Sequence, residues 1–423
     1  MTRSTKLVTV IVAVLSLVAC APGSDYRTPP GLTVVPSITA PTRADQPLPE
    51  GFPRLGGVGP GALLSLAAFG DIDPKVYETG ADTWRMVYRT VDPDGRSVSA
   101  TGVLSIPGGT PPKGGWPLLV YTHGNTGVDY DCGPSLRPDL AKLASTVGAW
   151  LDNGYAVVVP DYQGIGGDRS SPGLPFLNAP VLGQDVINAV RAVRRATPDV
   201  TRQFAIFGRS LGATAAWGAN GAIGRTELAK DLLGVVALVP PVDLTQLPQR
   251  AAAGTLMRDE TLLYYFTVAQ LKRTVRPTID LGDYFRGALI SREDLARKCT
   301  GPRSAEAARL LQGVGPGEVV KPTPENAARM SEALAALRPE SKLTAPMYVL
   351  YGGQDHYVDP ASVARALDRA CGAGSVIEWY LLPLGGHENL GGSASTNAID
   401  WVRSRFEGVA PRDFCRRPSK AAS

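Results

Sequence analysis

Histidine and cysteine are scarce in this chain, and their scarcity limits the chemistry that it can perform. Among 423 residues there are three histidines and five cysteines, and no two cysteines have the CxxC spacing. Structural zinc sites take about four such ligands at short, regular spacings, so we expect neither a metal nor a cofactor. Any reaction that needs a histidine must use His123, His356 or His387.

An excess of charge of one sign is also lacking. The formal net charge is +4, and the basic residues are scattered along the sequence rather than clustered. Nucleic-acid-binding domains carry basic patches, so the sequence predicts no nucleic-acid partner. With 44% hydrophobic and 19% charged residues, the composition is that of a globular protein. The length suits one large α/β domain with insertions, or two ordinary domains.

The N-terminus has an apolar run, but one too short to span a membrane. Residues 7–18 are apolar and follow Arg3 and Lys6. A spanning helix needs about twenty residues, so residues 1–20 are predicted to be a signal peptide. The run ends in Leu17-Val18-Ala19-Cys20, which resembles the lipobox of bacterial lipoproteins, where the cysteine carries a diacylglycerol. The alternative is an ordinary signal peptide with a chance cysteine near its cleavage site.

The remaining cysteines also indicate export. Without Cys20 the chain has an even set, which in an oxidising compartment predicts two disulfides with three possible connectivities. These cysteines are Cys132, Cys299, Cys371 and Cys415. Residues 21–50 are rich in proline, threonine and small polar residues, as in an extended tether. We therefore expect a cell-envelope lipoprotein anchored in the membrane through Cys20, or a secreted protein.

From residue 51 onward, short apolar runs typical of strands alternate with segments of helical periodicity. The predicted strands are 83–90, 97–106, 116–121, 156–160, 204–207, 235–239, 347–351 and 377–382. This alternation predicts a mostly parallel central sheet with helices on both faces, which is an α/β fold. The predicted core comprises residues 51–242 and 346–415.

Residues 243–345 interrupt this alternation and are predicted to form a helical cap or lid insertion. Their better helices are 256–271 and 325–337. Within the first, Leu262-Leu263-Tyr264-Tyr265-Phe266 could form a mobile apolar lid, or a stripe that faces the core, which is the commoner use of such residues. We find no internal repeat.

The strongest chemical signal is Gly208-Arg209-Ser210-Leu211-Gly212. An apolar strand precedes it and a helix of small residues follows, so the chain must turn sharply at the serine. Glycines on either side remove the Cβ atoms that would clash in such a turn. Ser210 is therefore the predicted nucleophile, at a helix N-terminus that favours developing negative charge. The alternative is a structural serine in a tight turn.

A serine nucleophile requires a base and an acid that orients this base. His387 follows the last predicted strand, which suits a base, whereas His123 is predicted to be structural and His356 a solvated neighbour. Asp355 follows the preceding strand and is the predicted acid. Its competitor Asp359 precedes a proline and is more typical of a helix cap.

A tetrahedral intermediate also needs hydrogen-bond donors for its oxyanion. The first should be the backbone amide of Leu211. The second should come from the loop Thr122-His123-Gly124-Asn125-Thr126-Gly127, with Asn125 preferred and Thr126 as the alternative.

Together these motifs resemble the α/β-hydrolases, and more narrowly the secretory lipases similar to Candida antarctica lipase A and its actinobacterial relatives. The narrower resemblance rests on Tyr-Thr-His-Gly-Asn-Thr-Gly at 121–127, Asp-Cys-Gly-Pro-Ser at 131–135, Val-Val-Pro-Asp-Tyr-Gln-Gly at 158–164, and the segments of the serine, acid and base. It implies a lid between the nucleophile and the acid, and disulfides Cys132–Cys299 and Cys371–Cys415. Arg209 and the lipobox depart from the family pattern.

These features predict a carboxylic-ester hydrolase, a lipase or esterase, that acts on acyl esters or lipids through an acyl-enzyme at Ser210. Two alternatives belong to other classes. One is a serine peptidase or acyltransferase, in which Asp259 or Glu260 could hold a peptide amino group. The other is a catalytically silent binding lipoprotein. The sequence leaves open the acyl length, the alcohol and the oligomeric state.

Overall fold

The computed structural model describes residues 51–416, apart from positions 168, 302 and 391. The predicted signal peptide, Cys20 and the tether lie outside these residues. Within the described part of the chain, no helix combines the length and the apolar character needed to cross a bilayer.

Nine strands in the described residues form one mixed sheet. They are β1 (Leu63–Ala68), β2 (Asp82–Val91), β3 (Ser97–Ile106), β4 (Trp116–Thr122), β5 (Ala156–Pro160), β6 (Val200–Arg209), β7 (Leu232–Leu238), β8 (Met347–Gly352) and β9 (Ile377–Leu382). Their order is β1-β2-β3-β5-β4-β6-β7-β8-β9. The pairings from β1 to β5 are antiparallel, and those from β5 to β9 are parallel. The predicted, mostly parallel sheet is confirmed.

The helices lie on both faces of this sheet. They are α1 (Pro74–Tyr77), α2 (Ala144–Asp152), α3 (Ala179–Ala196), α4 (Leu211–Ala222), α5 (Leu247–Ala253), α6 (Arg258–Thr274), α7 (Ala288–Ser291), α8 (Glu293–Ala296), α9 (Ser304–Gly313), α10 (Pro324–Ala335), α11 (Pro360–Gly372) and α12 (Gly392–Phe406). Alternate residues of β4 enter separate cores, because successive side chains of a strand point to opposite faces. Leu118 and Val120 pack with α3 and α4, whereas Leu119 and Tyr121 pack with α1, α2 and α12.

The edge strand β1 was not among the predicted strands. Residues 63–68 show a buried start and a largely half-buried remainder rather than a clear alternation, and a register shift interrupts the pairing with β2. This strand is therefore defined by its backbone pairing with β2, and the periodicity of its side chains is too weak to predict it from the sequence.

Between β7 and β8, the described residues contain helices α5 to α10 and turns, with one isolated bridge between Phe285 and Val319. The apolar stripe on α6 faces the core: Tyr264 and Tyr265 are buried, and the Tyr265 hydroxyl donates to the Leu289 carbonyl at 3.0 Å. In this structure the 262–266 segment is therefore packed against the core, and its movement as a lid stays a prediction.

Candidate active site

Ser210 occupies a strained turn between β6 and α4. Its φ is 54° and its ψ −124°, a conformation that residues other than glycine rarely adopt. The flanking glycines allow it. A Cβ at Gly208 would lie 2.3 Å from the Gly212 carbonyl oxygen, and a Cβ at Gly212 would lie 1.9 Å from the carbonyl oxygen of Thr122. The serine is therefore held at the carboxyl end of the sheet, at the first turn of α4.

The structure brings Ser210, His387 and Asp355 together. The Nε2 atom of His387 lies 2.9 Å from the Ser210 Oγ, and its Nδ1 lies 2.8 Å from Asp355 Oδ2. Asp355 and His387 follow β8 and β9, and both are buried, with 4% and 9% of their surfaces exposed. This arrangement can remove the serine proton through Nε2 while the carboxylate fixes the histidine tautomer and stabilises the imidazolium.

The second oxygen of Asp355 is held by backbone. Its Oδ1 accepts from the amides of Tyr357 and Val358, each at 2.9 Å, which leaves Oδ2 for the histidine. The ring of Tyr357 lies against the imidazole of His387, with 4.9 Å between centroids. The competitor Asp359 instead caps α11, where its Oδ1 accepts from the Ala361 amide at 3.0 Å.

The loop after β4 lies directly beside the serine. A Cβ at Gly124 would be 3.8 Å from the Ser210 Cβ. Leu211 opens α4, and the first amides of a helix have no intrahelical acceptor. The exposed side chain of Asn125 accepts from the Gly127 amide at 2.9 Å. The Thr126 hydroxyl is buried and has no hydrogen-bond partner among the described residues.

A disulfide holds this loop from the other side. Cys132 is bonded to Cys299, in the helical segment between β7 and β8, and a Cβ at Gly127 would lie 2.0 Å from the Cys299 sulfur. Gly127 is therefore required for the disulfide to pack here. A second disulfide joins Cys371 of α11 to Cys415 near the end of the described chain. Both pairings are those that the family resemblance implied.

Candidate metal ligands in the described residues converge at one place, formed by Asp131, Cys132 and Cys299. Because both sulfurs are joined in the disulfide, they cannot act as thiolate ligands.

The other two histidines have different surroundings. His356 is exposed next to Asp355, as expected of a solvated neighbour. His123 is fully buried, its Nδ1 lies 2.6 Å from the Gly124 carbonyl oxygen, and its ring lies on that of Tyr162. Burial lowers the pKa of His123, so this imidazole favours its neutral form.

Sequence reasoning missed a contact made by Arg209, the residue before the serine. Its guanidinium donates to the backbone carbonyl of His387 and pairs with the Glu388 carboxylate at 3.1 Å. Ser210 and Arg209 thus hold the same histidine at its side chain and at its backbone. The sequence offered no signal for this, because it shows the departure at position 209 but not what the side chain contacts.

The two acidic residues considered for a peptide subsite differ. Glu260 is buried and committed to its own helix, because it accepts from the Met257 amide at 2.9 Å and pairs with Arg250. Burial raises the pKa of Asp259, and the charges of Arg258, His356 and His387 act against this rise. Asp259 is itself buried and pairs with Arg258 at 3.4 Å, and the charge of His387 is among those that act on its carboxyl.

Comparisons with known proteins find similarity to lipases and esterases. A family model described as secretory lipase matches residues 142–280, which include the turn at Ser210. The search of curated proteins gave no match. Candida antarctica lipase A in its closed state is similar, with a TM-score of 0.67 at 16% identity over 91% of both chains. The rice cell wall degrading esterase of Xanthomonas oryzae has a TM-score of 0.61 at 17% identity, over 83% of this chain and 97% of its own.

These findings confirm the α/β-hydrolase fold and the resemblance to the secretory lipases. They support a hydrolase of the lipase or esterase type. The match to the secretory lipase model and the two disulfides support an exported protein.

Proposed function

We propose that this chain is an exported carboxylic-ester hydrolase with Ser210 as nucleophile, His387 as general base and Asp355 as the residue that orients the base. The observation that carries the proposal is the continuous hydrogen-bonded chain from Ser210 Oγ to His387 to Asp355, at 2.9 and 2.8 Å. A strained backbone costs free energy, and such strain is concentrated at functional sites, so its presence at a serine bonded to a histidine supports a catalytic role.

In the proposed reaction, Ser210 Oγ attacks the ester carbonyl carbon while His387 takes the hydroxyl proton. The oxyanion forms beside α4 and accepts hydrogen bonds from the Leu211 amide and from a second donor, the Asn125 amide by preference or that of Thr126. Loss of one such donor typically costs about 3 kcal/mol of transition-state stabilisation. Collapse of the intermediate releases the alcohol with the proton from His387, and water then hydrolyses the acyl-enzyme by the same steps.

Two further parts complete the proposal. Residues 243–345 act as a cap, which the Cys132–Cys299 disulfide fastens to the loop beside the serine. The signal peptide is cleaved immediately before Cys20, and Cys20 then carries the lipid that tethers the enzyme to the membrane through residues 21–50. The substrate is therefore an acyl ester or lipid outside the cytoplasm.

The direct test uses the purified protein with nitrophenyl esters of increasing acyl length. We expect hydrolysis, stoichiometric labelling by a fluorophosphonate, and loss of both in Ser210→Ala. Ser145→Ala is a matched control, since Ser145 is exposed on α2. Labelling would separate the enzyme from a silent binding protein, and absence of turnover at every acyl length would rule out the ester hydrolase.

A serine peptidase is the second candidate, and the position of Asp259 favours it. A carboxylate within electrostatic range of His387 could pair with the amino group of a peptide substrate. Rates with an aminoacyl ester and the matching aminoacyl amide, in the wild type and in Asp259→Asn, separate the two functions. A peptidase should cleave the amide and lose affinity for it in the variant, whereas an ester hydrolase should cleave the ester alone.

A further inference from the structure

A basic cleft lies apart from Ser210, His387 and Asp355, where the loops after β4 and β5 meet the helical segment between β7 and β8. Its volume is about 350 Å³. The core side is lined by Asp129, Tyr130, Gly164, Arg169, Ser171, Pro172 and Gly173, and the helical side by Arg273, Arg297 and Lys298. Among these lining residues, four are cationic and one is acidic. We refer to this feature as the basic cleft.

Two arginines of the basic cleft, Arg273 and Arg297, are poorly matched by acceptors among the described residues. Nη1 of Arg273 and Nε of Arg297 are buried without hydrogen-bond partners among the described residues. Arg297 reaches Asp129 only at 4.0 Å, while Lys298 is closer to that carboxylate, at 3.3 Å. The Arg169 guanidinium stacks on the ring of Tyr130, with 3.6 Å to the centroid.

Like charges that share a confined space repel each other, and buried N–H groups without acceptors are costly. Burial lowers the pKa of the Arg273 guanidinium, and the neighbouring charge of Arg297 lowers it further, while the charges of Asp129 and Glu293 oppose this fall. Asp129 supplies one negative charge, which Lys298 and Arg297 already share. A second anion at this position would relieve the repulsion and accept from the unpaired donors.

We propose that the basic cleft is a binding site for a phosphate-class oxyanion, held by Arg169, Arg273 and Arg297. Guanidinium groups suit this ligand because their planar N–H donors match the geometry of phosphate oxygens. Two sources share this chemistry, namely free phosphate and the headgroup of an anionic phospholipid. Since the arginines come from both sides of the cleft, the bound anion would join the core to the helical segment next to the Cys132–Cys299 disulfide.

The first experiment measures the melting temperature and the calorimetric affinity of the full chain for inorganic phosphate, against sodium chloride of equal ionic strength. We expect phosphate to raise the melting temperature of the wild type. Arg273→Gln should weaken the affinity by about tenfold or more, because a charge-assisted hydrogen bond is lost. Arg276→Gln is the matched control, since Arg276 lies three residues further on, is exposed, and does not line the cleft.

Arg169→Gln gives a second variant at an exposed residue, where the substitution leaves the core untouched. Undiminished fluorophosphonate labelling of each variant would verify that it is folded. Without phosphate, Arg273→Gln should melt at or above the wild-type temperature, because it removes a repelled charge. The proposal fails if phosphate has no effect beyond chloride, or if it stabilises Arg273→Gln and Arg169→Gln as much as the wild type.

Vesicles identify the source of the anion. Cosedimentation with phosphatidylcholine vesicles, with and without phosphatidylglycerol, is compared between Arg169→Gln and Arg276→Gln, both made with Cys20→Ser so that no lipid anchor binds the vesicles. Weaker binding of Arg169→Gln to the anionic vesicles alone would support the cleft as a headgroup site. Equal binding of both, with phosphate still separating them, would support the cleft as a site for free phosphate.

Discussion

Two histidine–aspartate pairs lie at the carboxyl edge of this sheet, and they are built differently. His387 and Asp355 follow β9 and β8, and the imidazole connects the carboxylate to Ser210. His123 and Asp161 follow β4 and β5, and both are fully buried. Asp161 accepts from the Thr101 hydroxyl at 2.6 Å and from the Ser135 amide at 2.9 Å, so each of its oxygens already accepts one hydrogen bond.

The difference shows that residue types and their position at the sheet edge do not by themselves place a histidine against a serine. The imidazole of His123 faces the Gly124 carbonyl and the Tyr162 ring, and its Nε2 has no hydrogen-bond partner in the part of the chain that the structure describes. The Tyr162 hydroxyl donates to the His123 carbonyl at 3.0 Å, which locks the two loops together. The bond between Tyr162 and His123 therefore holds the loop that lies beside Ser210.

Replacing each histidine gives the largest expected contrast. His387→Ala should lower kcat by roughly 10⁴ to 10⁶-fold with little change in stability, because the base is lost. His123→Asn retains a polar atom near the Gly124 carbonyl and should keep kcat within about tenfold, while unfolding becomes easier by about 1–3 kcal/mol. Steady-state kinetics and urea unfolding measure both. A large loss of kcat in folded His123→Asn would mean that the pairs share the chemistry.

The carboxylates should differ in the same sense, at a smaller scale. Asp355→Asn keeps the shape but can no longer fix the tautomer of His387, and kcat should fall by about 10⁴-fold. Asp161→Asn turns an amide donor towards Thr101 or Ser135, and should cost about 1–3 kcal/mol of stability with kcat nearly unchanged. The same two measurements apply. Equal effects on kcat would remove the distinction between the pairs.

Arg209 distinguishes the two histidines further, because it donates a hydrogen bond to the backbone carbonyl of His387. Arg209→Met should reduce kcat by roughly ten- to a hundredfold without raising KM, since misplacement of the base affects the chemical step. Arg209→Lys should recover part of the loss, and Glu388→Gln should lose less, as the bond to the backbone carbonyl remains. A rise in KM at constant kcat would instead indicate contact with the substrate.

The smallest effect concerns pH. Burial lowers the folded-state pKa of His123, although the nearby charge of Asp161 opposes this. A histidine in the unfolded chain has a pKa of about 6.5, above that of buried His123 in the folded chain. On acidification the unfolded chain therefore binds the proton more readily, and the folded state loses stability. We expect the stability lead of the wild type over His123→Asn to shrink on acidification from pH 7.5 to pH 5. A lead that is constant or grows would contradict a buried neutral imidazole.

The sequence could predict the parts of the site that local patterns determine. Ser210 was recognisable because the strand, the turn and the helix around it are contiguous. His387 and Asp355 were recognisable because each follows an apolar strand at the edge where such residues converge. The roles of these residues and the boundaries of the cap remain predictions.

What the sequence could not predict depends on contacts between distant segments. β1 forms through its pairing with β2. The hydrogen bond from Arg209 to the His387 carbonyl joins two residues that are far apart in the chain. The basic residues were described as scattered along the sequence, yet folding gathers Arg169, Arg273 and Arg297 around one cleft. Composition cannot reveal such a cluster, since its members come from three separate segments.

The bond between Cys132 and Cys299 links two segments 167 residues apart, and it packs on the glycine that ends the loop beside Ser210. Because the cytosol keeps thiols reduced, this link can form only after the chain has left it. We therefore expect a newly synthesised chain to form this disulfide, and so complete its native structure, only after export from the cytosol. The proposed ester hydrolase would then have the loop beside Ser210 fastened only outside the cytosol, away from the esters inside the cell.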